Sequence, residues 1–214
     1  MKALLLKALL RWADRFGVAV LYTVALGAGT AVLHAQPRAR REAWLDWAST
    51  NWANAPHHPI GSMVVSALFT DGDVRGWLVL SLVGLGTVGW RFGAWRTAVL
   101  VAAAHVIGTL VSEGILGIRI AIGSVPHTEV HTRDIGPSYV IAAALVAGIA
   151  YGPWPARLPC ALGFVSIVSS LFGGLFQLVV SSVGHTTAIT VALALGGLFG
   201  WRRRRRTAGA TAEV

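Results

Sequence analysis

Two apolar segments of this chain each open on a residue that can do chemistry. Ser138 opens the run DIGPSYVIAAALVAG (134–148), and His185 opens VGHTTAITVALALGG (183–197). A serine hydroxyl is a weak nucleophile at neutral pH. A histidine about 3 Å away can take its proton during attack and return it to a leaving amine. Two-member versions of this chemistry exist, so an obvious third residue is not required. The plainer alternative is a helix start, with Pro137 near the first helical position and Asp134 as a cap. That alternative explains the proline and the aspartate but does not predict the histidine.

Other polar groups compete for attention. His105 and Glu113 lie in one apolar run, AAAHVIGTLVSEG (102–114). Eight helical residues bring them about 80° apart after two turns, on similar faces. Ionisable groups at membrane depth mark functional or internally paired positions, so both are expected to face the bundle interior. The segment PHTEVHTRD holds His127, Glu129, His131 and Asp134. Its H-x-E-x-H order is not the H-E-x-x-H of zinc proteases, so an exposed polar loop is expected and no metal site. Asp134 is expected to cap its helix or pair with Arg133. Cys160 is the one cysteine, which excludes an intrachain disulfide and points to an inert thiol in an apolar segment.

Elements that could position these groups follow from composition. The 214 residues are 55% hydrophobic and 13% charged, with mean hydropathy +0.64, too apolar for an ordinary soluble domain. Apolar runs of about 18 residues or more suit a hydrocarbon core of about 30 Å. Nine Trp suit the membrane interface. Six spans are expected, at about 16–34, 74–90, 97–118, 135–152, 158–176 and 184–201, in one domain over 1–201. A polar segment with Trp44, Trp47 and Trp52 follows the first span, and HPIGSMVVSALF after it is too short to cross. PWPARLP is expected to break the chain between the fourth and fifth spans. Residues 202–214 form a basic tail, its last eight residues disordered in this reading. The first span reads as a retained segment rather than a signal peptide cleaved after Ala35, because its apolar run exceeds a signal core.

The net charge of +9 comes largely from arginines that flank apolar runs and from Arg202 to Arg206. Anionic lipid headgroups are therefore the expected partner, and nucleic acid is not. With the N-terminus in the cytoplasm, twelve of the eighteen Lys and Arg fall on the inner side. The positive-inside rule then sets both termini inside a cell membrane. Ser138 and His185 come out on the same, outer side, at the starts of the fourth and sixth spans. Gly184, Ala188, Ala192 and Gly196 recur every four residues, and Ser138, Ala142, Ala144 and Gly148 give the fourth span a small surface. Small residues at that spacing let helix backbones approach in a bilayer.

With six spans, a long first outer loop, Gly136-Pro137-Ser138 and Gly184-His185, the chain resembles the rhomboid family of intramembrane serine proteases over roughly residues 15–201. It is most similar to the divergent rhomboid-like membrane proteins of actinobacteria. The resemblance implies a G-x-S-G motif at 136–139 and an A-H-x-x-G-x-x-x-G motif beginning at Gly184. It implies Ser138 as nucleophile, His185 as general base, a transmembrane polypeptide as substrate, and no cofactor. Three departures stand out. Tyr139 replaces the motif's last glycine, which would hold the fourth and sixth helices farther apart. Ala188 and Ala192 replace the glycines of the second motif. The second span, DGDVRGWLVLSLVG, lacks the family's His-x-x-x-Asn, assigned to the oxyanion. A missing oxyanion donor removes about 3–4 kcal/mol of transition-state stabilisation. The backbone N–H groups of Ser138 and Tyr139, or His105, are candidate replacements.

The expected fold is thus an all-α, six-transmembrane-helix, rhomboid-like bundle. The expected function is cleavage of a transmembrane substrate near the outer face by a Ser138–His185 dyad. The alternatives are a catalytically inactive relative that binds membrane helices, and a small transporter using His105 and Glu113. The sequence leaves the oligomeric state open.

Overall fold

Long apolar runs fold as helices because a helix pairs its own backbone groups where no water can. The computed structural model describes the backbone of residues 1–212, and the side chains of all but 2, 203, 204 and 206–212. Among these residues the order is α1 (Lys2–His34), α2 (Arg38–Ala48), α3 (Pro59–Ser66), α4 (Val74–Phe92), α5 (Ala94–Ala121), α6 (Ser138–Tyr151), α7 (Trp154–Phe172) and α8 (Val180–Ala212). Short 3-10 turns at His127–His131 and Leu175–Gln177 complete it, with no strand among the described residues.

α6 is the axis of the bundle. It packs against α4, α5, α7 and α8, and Tyr139 through Leu145 are all buried. Ile141 and Leu145 are fully enclosed, beside Leu26 of α1 and Cys160 of α7. α1 lies along α4, and α5 along α8.

Four helices are long and apolar enough to cross a membrane: Ala3–His34, Ala94–Ala121, Trp154–Gln177 and Val180–Arg202. The six expected spans fall on α1, α4, α5, α6, α7 and α8, of which α4 and α6 are outside those four. At 1.5 Å per residue the 14 residues of α6 reach only about 21 Å, short of the ~30 Å hydrocarbon core. Over much of its surface α6 meets protein rather than lipid, which relaxes the demand for length and apolarity. Beside the Ser138 end, Thr50 from the segment after α2 lines one small cavity together with Ser138.

Two boundaries also differ. The break before α7 is at Gly152-Pro153, and Pro155 lies in the first helical turn, where its missing N–H is no loss. Pro159 is accommodated inside the helix one turn later. α8 continues to Ala212 where a disordered tail was expected from Thr207, since alanines extend a helix already begun. Residues 213 and 214 lie outside the described residues.

Candidate functional site

Ser138 is the first residue of α6. The chain reaches it through Gly136, whose φ of +139° is a conformation L side chains rarely adopt. The Gly136 N–H donates to the Ser66 carbonyl at the end of α3 (2.9 Å), so that short helix holds the approach to the serine. Pro137 caps α6 with no side-chain acceptor, and the Ile141 N–H closes the first turn on the Pro137 carbonyl (3.0 Å). The N–H groups of Ser138 and Tyr139 precede that bond and point out of the helix end, where a developing negative charge is favoured.

His185 lies in the first turns of α8, 4% exposed, and its Nε2 is 2.8 Å from Ser138 Oγ. Its other nitrogen settles the tautomer. Nδ1 is 3.0 Å from the Leu171 carbonyl, which can only accept, so Nδ1 carries the proton. In the neutral ring Nε2 is then the acceptor, and the Ser138 hydroxyl donates to it. Leu171 can serve because it lies one residue from the end of α7, where helix carbonyls lose their intrahelical partners.

Tyr139 packs beside this pair. Its ring meets the His185 ring edge-on, centroids 4.9 Å apart and planes at 88°. The expectation that Tyr139 would hold the helices apart fails for a local reason. The ring fills the space at Gly184, where an added Cβ would lie 2.0 Å from the Tyr139 hydroxyl. A tyrosine on one helix therefore meets a glycine on the other, and the backbones stay close.

The Tyr139 hydroxyl donates to the Asp134 carboxylate (3.1 and 3.0 Å). Asp134 is neither the cap of α6 nor the partner of Arg133. Its carboxylate also accepts from Thr50 Oγ1 (3.4 Å), and its N–H donates to Ser49 Oγ (2.9 Å). Arg133 turns outward to Glu42 (2.8 Å) and Asp46 (2.6 Å) of α2. Burial raises the Asp134 carboxyl from its ordinary 3.8 to about 6, against the opposing pull of the Tyr139 and Thr50 bonds. A chain of contacts thus runs from the loop after α2 through Asp134 and Tyr139 to the His185 ring.

Ser138 borders a cavity of about 10 Å³, lined also by Thr50, Ser66, His105, Asp134 and Tyr139. That volume is about one water. His105 Nε2 is 2.8 Å from the Met63 carbonyl, so it carries the proton and donates there, leaving Nδ1 as a bare acceptor. The Nε2 proton is committed to the Met63 carbonyl, with Ser66 Oγ also 3.3 Å from that nitrogen, and the backbone N–H groups of Ser138 and Tyr139 are the other oxyanion candidates. His105 and Glu113 both face the interior, each 7% exposed. The His127–His131 segment is a 3-10 turn, and no group of three metal-ligand side chains that could hold an ion occurs among the described residues.

Ser49, Thr50 and Ser66 escaped the reading of the sequence. Nothing in their spacing marks them; the signal available was a polar segment rich in Trp and hydroxyl residues after the first apolar run. The family model described as "Rhomboid-like protein" matches residues 11–205. No curated protein and no solved structure matches the chain.

Proposed function

The chain belongs to the rhomboid-like family, and on that premise we propose that it is an intramembrane serine protease acting on transmembrane polypeptides near their outer ends. The observation that carries this reading is the 2.8 Å contact of Ser138 Oγ with a His185 ring whose tautomer is set by the Leu171 carbonyl. Ser138 Oγ attacks the scissile carbonyl carbon as its proton passes to His185 Nε2. The imidazolium then protonates the leaving amine, which departs and leaves an acyl ester on Ser138. Water, deprotonated by the same Nε2, hydrolyses the ester and restores the hydroxyl. The backbone N–H groups of Ser138 and Tyr139 stabilise the oxyanion. The excess of Lys and Arg on the inner segments supports a cell-membrane protein with both termini cytoplasmic and the dyad toward the outer side.

A second reading has its own observation. The cavity at Ser138 holds about one water, not a peptide, and Tyr139 is one of its walls. That favours a catalytically inactive relative that binds membrane helices without cutting them.

Fluorophosphonate labelling of the purified protein in lipid separates the two. The protease reading expects labelling of the wild type that disappears in Ser138→Ala and in His185→Ala. A wild type that stays unlabelled beside a reactive rhomboid control leaves the helix-binding reading.

A further inference from the structure

One face of α5 carries three polar side chains at four-residue spacing, His105, Thr109 and Glu113. Each has a buried atom without a hydrogen-bond partner: His105 Nδ1, Thr109 Oγ1 and both carboxylate oxygens of Glu113. Thr109 is 2% exposed and Glu113 is 7% exposed. Buried polar groups are ordinarily partnered, so three neighbours in this state on one face need a reason. The Glu113 backbone is held in place, because Trp52 Nε1 donates to its carbonyl (2.6 Å).

Thr109 and Glu113 line a cavity of about 250 Å³ with Thr50, Trp52, Ser62 and Met63. That is smaller than the roughly 300–1,000 Å³ of small-molecule pockets and fits a single long side chain. Thr50 is a wall of both this cavity and the one at Ser138, so the two are neighbours. What the face offers is a carboxyl group, a hydroxyl that can donate or accept and, one turn on, a bare ring nitrogen. A side chain with several donors and a positive charge, Lys or Arg, serves all three, and its charge holds the Glu113 carboxyl ionised.

We propose that this cavity is a subsite for one basic side chain of a membrane polypeptide bound across Ser138. The inference rests on the reading that the Ser138 site receives such a polypeptide, but not on cleavage. A Lys or Arg anchored at Glu113 sets the register in which the backbone passes Ser138, so the partner is a transmembrane segment with a basic residue near its outer end.

The test uses the full-length Ser138→Ala protein in lipid nanodiscs. The probes are fluorescent Leu/Ala transmembrane peptides carrying one Lys, or one Met, at successive positions along their outer third. Energy transfer to labelled protein gives the affinities. One Lys position should bind about tenfold tighter than its Met counterpart, and Glu113→Gln should abolish that preference. Equal binding of Lys and Met peptides at every position overturns the subsite while sparing the helix-binding site. Binding by neither peptide overturns both. A Lys preference that survives Glu113→Gln overturns the assignment to Glu113. The Lys–Met comparison needs no change at Glu113, so it decides even where Glu113→Gln does not fold.

Discussion

The two ends of α6 use one packing device for different ends. At one, Tyr139 fills the space over Gly184; at the other, Tyr151 fills the space over Gly196, where an added Cβ would lie 2.4 Å from the ring. Both glycines belong to α8, twelve residues apart, and each meets a tyrosine of α6. The Tyr151 hydroxyl donates to a single backbone carbonyl, that of Leu193 (2.6 Å), while its ring packs near Phe92. The Tyr139 hydroxyl instead donates to a buried carboxylate, and its ring touches a histidine bonded to a serine. A tyrosine over a glycine is therefore a way to lock two helices, and it makes no site by itself. What distinguishes the Ser138 end is the polar segment whose Ser49 and Thr50 hydrogen-bond Asp134 beside it.

The sharpest way to break this comparison is to fill the two glycines separately. In Gly184→Ala the new methyl occupies the place of the Tyr139 hydroxyl, so the ring must leave His185. Fluorophosphonate labelling is expected to fall to background. Gly196→Ala displaces Tyr151 and is expected to lower the melting temperature by an overpacking penalty of about 1–3 kcal/mol, with labelling kept in the folded protein. Equal loss of labelling in both variants would mean that the two ends are not separable.

A smaller effect comes from Asp134, since the Tyr151 end has no carboxylate bonded to its hydroxyl. Its folded pKa of about 6 stands above the ordinary 3.8, so the folded state holds the proton more tightly than the unfolded chain. Stability from this group is therefore full below about 3.8 and is lost as the pH rises through about 6. The whole change amounts to about 3 kcal/mol. Melting curves across that window should show the decline in the wild type and in Tyr151→Phe, and a flat profile in Asp134→Asn. A decline that persists in Asp134→Asn assigns it to another group.

The smallest contrast is between the two hydroxyls. Tyr139→Phe takes a donor from a buried carboxylate and should destabilise by about 1–2 kcal/mol. Tyr151→Phe removes one bond to a helix carbonyl in a membrane bundle, for about 0.6 kcal/mol. Chemical denaturation of the two variants in one detergent orders them. The reverse order would show that Thr50 alone satisfies Asp134.

The nearness of Ser138 and His185 was legible because it depends on few things. Two apolar runs begin on the same side of a membrane, and small residues mark the faces that meet. Tyr139 was read in the wrong direction, since a ring between helices looks like a spacer until its partner is known to be Gly184. Asp134 was assigned to its sequence neighbours, the α6 start and Arg133, yet its partners are Ser49, Thr50 and Tyr139. Side-chain hydrogen bonds across 84 and 85 residues leave no trace in local spacing.

Two things follow from the sequence alone. Apolar length and composition commit the chain to a helical membrane bundle, because the transfer of each run into hydrocarbon depends on that run by itself. The polar residues that open two of those runs are likewise assigned to one side by counting crossings and charges. Tertiary structure alone decided the rest: which glycine receives which tyrosine, that α6 needs only 14 residues, and that Glu113 faces a cavity without a partner. Those are properties of lateral neighbours, and packing is settled between side chains of different helices, where no single helix carries the information.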